Sequence, residues 1–342
     1  MARSRNTADT QTASGGPVSP NIAGRNAFIN GGMDIWQRGT SISVTASTAP
    51  YTADRWQVNL GANQASTVSR QVTGDTTNLP NIQYCMRYQR NSGQTGTGAM
   101  YLTQSFESSN SISFAGKTAT LSFYARAGAN FSPTSSILTS YVYYGTGTDQ
   151  NITGAYTGAV GLGGQNNTLT TTWQRFTMTV SIASTATEIA LLLAHTPTGT
   201  ASTNDYFEIT GVQLEVGSSA TPFSRAGGTI QGELAACQRY YFRTQTGTGT
   251  PYMGVTVAGS STTTYANLIH KVTMRSTPTS VEFSAIKWQA INNSGNISAA
   301  SIQDATPENT LFVCTTTGAT AAQMNYVIGQ TTSGYMAVSA EL

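Results

Sequence analysis

Charge is what this sequence has least of. Asp, Glu, Lys and Arg together make up 9% of its 342 residues, against about 25% in an ordinary soluble domain. A surface so poor in ions must be built from hydroxyls and amides, and Ser, Thr, Asn, Gln and Gly fill the gap. The Lys and Glu that usually coat exposed helices are scarce, whereas Thr, Val, Ile, Tyr and Phe, which suit a pleated half-buried surface, are plentiful. An all-β protein is predicted. The formal net charge is only +2, with Lys and Arg scattered, so no basic stripe marks a nucleic-acid partner. Arg3 and Arg5, on the N-terminal arm, come nearest to one.

Cysteine is also rare. Cys85, Cys237 and Cys314 are odd in number, far apart and outside any C-x-x-C or Cys/His spacing, which argues against a disulfide framework and a zinc site. Long apolar runs are missing too. The segment from Met1 to Pro20 has no signal-peptide core, and no later stretch approaches the roughly 20 apolar residues of a membrane span. The expectation is synthesis in a cytoplasm with reduced thiols, export only within a larger particle, and no membrane insertion.

The usual carriers of chemistry are thin. The fifteen acids form no recognisable catalytic pair, and His195 and His270 sit in no metal or triad motif; both are read as structural. Asn204-Asp205 lies among turn residues and makes Asp205 the candidate ligand for Ca2+, an ion that wants six to eight oxygens. The plainer reading is a turn followed by a strand with solvated Glu208 and Glu215. Gly145-Thr146-Gly147 and Gly161-Leu162-Gly163-Gly164 lack the helix and lysine of a phosphate cradle and read as loop tips. No catalytic residue and no cofactor are predicted.

At this length two domains are expected. Residues 1–25, rich in Ser, Thr, Gly and Pro, have the composition of an arm that cannot bury itself alone. Residues 26–226 read as strands between Gly, Asn, Ser and Thr turns. In Thr118 to Arg126 the residues Ala119, Leu121, Phe123 and Ala125 point one way and Thr120, Ser122, Tyr124 and Arg126 the other, as in a sheet with one solvated face. Phe176, Met178, Val180 and Ile182 alternate likewise. Ile189 to Ala194 is a short continuous apolar run, which suits a central strand buried on both faces. The inward phase changes at Gly211, from Phe207 and Ile209 to Val212, Leu214 and Val216, which predicts a bulge. An antiparallel sandwich follows.

Ile230, Leu234, Cys237 and Tyr241 then recur at helical spacing and predict a linking helix over 227–245, although Gly232 costs about 1 kcal/mol relative to Ala. A smaller β-domain is expected over 246–342. There Met253, Val255 and Val257 alternate, Val281 to Ala285 and Leu311 to Cys314 follow, and Met336, Val338, Ala340 and Leu342 line one side of the last strand.

Aromatic rings flanked by amides are the remaining candidates for recognition, since rings stack on sugar faces. Tyr141, Tyr143 and Tyr144 put two rings on one strand face and one on the other, and are read first as core or interface residues. In the second domain Tyr252, Tyr265, Trp288, Tyr326 and Tyr335 are the candidate glycan or receptor contacts. Asn30-Gly31-Gly32 supplies residues tolerant of positive φ for a tight turn. Trp36 and Trp56 close one end of the sandwich, and Arg38, Asp54 and Arg55 are placed to pair across it, all five as structural residues. Pro222-Phe223 marks the exit, with the Phe covering the sandwich edge.

Five stretches carry a resemblance: NAFINGGMDIWQRGT from Asn26, YTADRW from Tyr51, VQLEVGSSATPFSR from Val212, CQRYYFRT from Cys237, and the terminal Ala340-Glu341-Leu342. Together and in order they resemble phage and prophage tail-fibre-like proteins. An acid often precedes the final Ala-Glu-Leu in that group, and Ser339 stands there instead. The resemblance implies a jelly-roll first domain similar to carbohydrate-binding modules, and subunits associated as homotrimers. The expected function is a virion tail-fibre or adhesin subunit. It would attach to other phage proteins through residues 1–25 and bind host-surface glycan or protein through its distal domain. The alternatives are a head or collar decoration protein and a glycan-degrading tailspike.

Overall fold

The computed structural model describes residues 24–45, 48–61, 64–245 and 252–342. The expected attachment arm, with Arg3 and Arg5, lies outside the described residues apart from Gly24 and Arg25, as does the Gly/Thr stretch 246–251. The chain is all-β and divides into two units, Met1–Leu234 with Leu342, and Ala235–Glu341.

The first unit holds, in chain order, β1 (Ser41–Thr45), β2 (Gln57–Leu60), β3 (Ala65–Val72), β4 (Tyr84–Arg90), β5 (Met100–Ser105), β6 (Thr118–Ala127), β7 (Ile137–Gly145), β8 (Val160–Thr168), β9 (Gln174–Ser181), β10 (Glu188–His195) and β11 (Tyr206–Val216). They form a six-stranded sheet, β1-β3-β4-β11-β6-β9, and a five-stranded sheet, β2-β5-β10-β7-β8. Count β4 to β11 as eight strands. One sheet then runs first, eighth, third, sixth and the other second, seventh, fourth, fifth, which is the wrap of a jelly roll. β1 and β3 extend the first sheet beyond β4, and β2 extends the second beyond β5.

The two inner faces share one core. From β6, Ala119, Leu121, Phe123 and Ala125 are buried in it as the alternation requires. The opposite face of β6 is not simply solvated: Thr120 and Ser122 are buried as well, and Thr120 donates to the Gly217 carbonyl at 2.7 Å. The predicted bulge is present. Pairing of β11 with β6 shifts between Thr210 and Gln213, and Gly211 has φ +60°. A Cβ there would approach Ile82 and Tyr124 to 2.9 Å, so both backbone conformation and space require glycine.

The turn at Asn30-Gly31-Gly32 uses its residues differently from the expectation. Positive φ falls on Asn30 (+59°) and Met33 (+55°), while a Cβ on Gly31 would collide with the Val212 carbonyl oxygen. Glycine is needed there so that two backbone segments can touch. Trp56 is fully buried and donates to the Asn30 carbonyl at 3.0 Å, and Trp36 donates to Met33 at 2.8 Å. Asp54 accepts the Gln37 backbone N–H at 2.9 Å, Arg55 donates to Ser105 at 2.7 Å, and Arg38 lies 5.2 Å from the Tyr51 ring centre. Phe223 is buried in a small cluster with Leu79, Ile82, Cys85 and Trp173.

The linking helix is shorter than predicted. It spans Ile230–Gln238, and Tyr241 opens a strand opposite Ser339 instead. The run Tyr240-Tyr241-Phe242 is buried and rich in strand-favouring rings, which overrides the helical spacing. Gly232 is explained by contact: a Cβ there would collide with the Gly227 carbonyl oxygen.

The second unit holds β12 (Tyr241–Gln245), β13 (Tyr252–Ala258), β14 (Thr263–Ile269), β15 (Ser280–Ser284), β16 (Ile286–Gln289), β17 (Ser294–Asn296), β18 (Ala299–Ala305), β19 (Asn309–Thr315), β20 (Met324–Gly329) and β21 (Tyr335–Ser339). A three-stranded sheet, β12-β21-β15, and a seven-stranded sheet, β17-β16-β20-β13-β14-β19-β18, share a core of Phe242, Val338, Leu268, Trp288, Phe312 and Val327. On β13 the alternation is real, but Val255 and Val257 face outward while Thr256 and Ala258 are buried. A register shift between Tyr252 and Gly254 sets them out of phase with Met253, which packs on the core.

Candidate functional site

The outer face of the five-stranded sheet forms an open groove of about 710 Å³. Register lays its outward side chains in rows crossing the strands. One row runs Asn59, Tyr101, Ala194, Thr139. The next runs Thr103, Leu192, Tyr141 and reaches β8 at an irregularity, where Gly164 lies under the Tyr141 ring. Ala190 and Tyr143 begin a third that ends on Gly161. Loop residues Pro133, Thr134, Thr196 and Thr198 wall one part of the groove, and Ile152 and Thr153 another.

β10 is the central strand of its sheet, as expected, but it is not sealed on both faces. Ile189, Leu191 and Leu193 enter the core, while Leu192 and Ala194 form the groove floor. The glycines Gly161, Gly163 and Gly164 belong to strand β8 and are not a loop tip. A Cβ on Gly161 would lie 2.9 Å from Cζ of Tyr143, and one on Gly164 would lie 3.1 Å from Cε1 of Tyr141. The missing side chains let both rings lean over β8. Tyr141 and Tyr143 have ring centroids 5.8 Å apart with planes at 47°. Burial, then the neighbouring Tyr141 and Tyr101, raises the Tyr143 phenol above its ordinary pKa, so this hydroxyl stays protonated through neutral pH.

His195 ends β10 and is buried among the rings of Tyr88, Phe131 and Phe207. Burial, helped by the nearby Arg90 charge, pushes its pKa down to about 3, leaving the ring neutral. His270, just past the end of β14, is held by Pro307 at 2.8 Å and Thr310 at 3.0 Å; both histidines have structural surroundings.

Asp205 does not face solvent. Its carboxylate accepts from Arg90 at 3.1 Å and from the backbone N–H and hydroxyl of Ser132 at 2.9 and 2.8 Å. Glu208 and Glu215, expected to be solvated, are buried. Glu208 is clamped between Arg87 and Arg126 at 2.6 and 2.5 Å, and Glu215 accepts from Thr221 and Gln213. Among the described residues no group of three or more His, Cys, Asp or Glu is arranged to hold a metal.

In the second unit, Tyr252, Tyr265 and Tyr326 come together on the outer face of the seven-stranded sheet, with Val255, Val257 and Met324 beside them. The Tyr252 and Tyr326 rings are 4.6 Å apart. Trp288, proposed with them as a contact residue, is instead fully buried and offers no face to a ligand. Tyr335 lies on the other sheet, stacked under Arg243 at 3.7 Å.

Neither a family model nor a curated protein matches this sequence. Solved structures with partial likeness include a tailspike protein 4 domain of bacteriophage CBA120, 11% identical, TM-score 0.32, covering 58% of this chain and 22% of that one. A CBM4 structure is 17% identical, TM-score 0.31, over 55% of this chain and 98% of its own. A CBM22-1 xylan-binding domain from Paenibacillus barcinonensis is 11% identical, TM-score 0.32, over 52% and 95%.

Proposed function

We propose that this chain is a phage virion subunit of the tail-fibre or adhesin type, whose jelly roll binds glycan without cleaving it. The groove on the five-stranded sheet carries the reading. Sugars present apolar C–H faces and a rim of hydroxyls, and the groove answers with the Tyr101, Tyr141 and Tyr143 rings and with Thr and Asn side chains. Glycoside hydrolysis uses two carboxyl groups flanking the bond, and no Asp or Glu lines this groove. That supports binding over catalysis.

The five blocks that resemble tail-fibre-like proteins support a place on the virion, at a tail or collar. In this reading the protein is made in the host cytoplasm and assembles as a homotrimer. Residues 1–25 engage neighbouring virion proteins, and the Tyr252, Tyr265 and Tyr326 face supplies a further contact to the host surface. Repetition in the trimer turns weak single sites into avidity. The reading calls for no cofactor and no nucleic acid.

The test is calorimetric titration of the purified chain with an oligosaccharide panel, alongside Tyr141→Ala and Tyr143→Ala. Each variant should bind about tenfold more weakly, the scale of one lost aromatic contact, with an unchanged melting temperature. Equal binding by variants and native protein would remove the groove from the proposal. Phage carrying both substitutions should assemble yet adsorb poorly. Normal adsorption would favour a decoration role on head or collar.

A further inference from the structure

We infer that the ligand of this groove is an uncharged oligosaccharide more than one ring long, held independently of ionic strength; the inference rests on the groove being the glycan site. Charge is the first ground. The lining contains no Asp, Glu, Lys or Arg. Arg90, which holds the surrounding loops, is buried, and its guanidinium is already committed to Asp205 and to the carbonyls of Gln94, Gly96 and Gly199. A carboxylate or sulfate entering the groove would lose hydration without gaining a counter-charge, and an ammonium would likewise find no anion.

Titration does not change this. His195, the ionisable ring of the lining besides the tyrosines, is neutral above about pH 3, and burial holds the Tyr143 phenol protonated. The Thr139 and Thr198 hydroxyls already donate to the Asn166 side chain at 2.9 Å and the Ser132 carbonyl at 2.5 Å, so they offer acceptor oxygens, beside the phenols and the Asn59 amide. These are partners suited to sugar hydroxyls.

Length is the second ground. The lining residues lie on β2, β5, β10 and β7, three inter-strand steps of about 4.8 Å, or roughly 14 Å across the sheet. Tyr101 on β5 and Tyr141 and Tyr143 on β7 stand two of those steps apart, roughly 10 Å between backbones, about twice the width of one sugar ring, so a chain of rings engages all three platforms more fully than one ring does.

The experiment uses probe pairs that share a backbone and differ in charge. Chitohexaose is compared with its deacetylated cationic hexamer, and methyl-esterified hexagalacturonate with the free acid, beside xylohexaose, cellohexaose, maltohexaose and their monosaccharides. Titrations of the full chain are run at low and high sodium chloride. The expected result is that the neutral member of a pair binds at least tenfold tighter than its charged twin, that hexamers exceed monosaccharides by at least tenfold, and that affinity changes less than twofold with salt. A charged probe binding as tightly as its neutral partner, with affinity falling as salt rises, would overturn the inference. If Tyr141→Ala still weakened that charged probe, the groove would survive as the glycan site. Binding by none of the hexamers would sink both.

Discussion

Arg90 and Asp205 form an ion pair at 3.1 Å whose side chains are only 1% and 2% exposed. The pair is a junction: Arg90 reaches the carbonyls of Gln94, Gly96 and Gly199, and Asp205 caps Ser132. It thereby fixes the two loops whose residues Pro133, Thr134, Thr196 and Thr198 wall the groove. Asp205→Ala leaves a buried guanidinium uncompensated and should cost about 3–5 kcal/mol, measured by urea unfolding. Groove affinity should fall with it. A loss below about 1 kcal/mol would mean that the pair contributes little beyond its desolvation.

The fit of Tyr143 over Gly161 yields a second expectation. Gly161→Val fills the space that the ring occupies and should displace it, weakening oligosaccharide binding about as much as Tyr143→Ala does. In the Tyr143→Ala background the same change should have little further effect, a coupling that a double-mutant cycle reads directly. Additive losses would show that the glycine acts elsewhere.

Acid should find His195. Its pKa is about 3 in the fold against an ordinary 6.5, so the unfolded chain takes up a proton that the folded one refuses. The associated stability is complete above pH 6.5 and is lost as pH falls from 6.5 towards 3, with a ceiling of the order of 5 kcal/mol. His195→Phe, set among Tyr88, Phe131 and Phe207, should move the acid-unfolding midpoint to lower pH, followed by tryptophan fluorescence. Identical midpoints would assign acid sensitivity to other groups.

In the second unit, the hydroxyls of Thr256 and Thr264 are buried on the inner face without hydrogen-bond partners. Thr256→Val and Thr264→Val keep the branched shape and remove the desolvated oxygen, so each should raise stability by about 1 kcal/mol. Thermal melts of the single and double variants check this. A lower melting temperature would point to a polar role for these oxygens inside the core.

Strand character was legible where neighbouring positions differ sharply in polarity. Ala119 to Ala125 mark the inward face of β6, and the phase change at Gly211 marks the bulge. Legibility failed where both faces of a strand carry similar residues. On β13 Thr256 and Ala258 are inside and Val255 and Val257 outside, because a register shift between Tyr252 and Gly254 resets the phase of the strand. Tyr241 followed the helical spacing of its neighbours yet pairs with Ser339, a partner that local pattern cannot reveal. The groove was only partly visible. Tyr141 and Tyr143 stood out in the sequence, but Asn59, Tyr101, Thr103 and Leu192 join them through register across four strands, and no local spacing encodes that meeting.

The position of β11 has a consequence for how the chain comes to be folded. It lies between β4 and β6, although Phe207 pairs with Tyr88 from far earlier in the sequence. Contacts of such long range are slow to form. A ribosome making this protein therefore holds out a row of unclosed, adhesive ribbons until the segment from Tyr206 to Val216 emerges to stitch them shut.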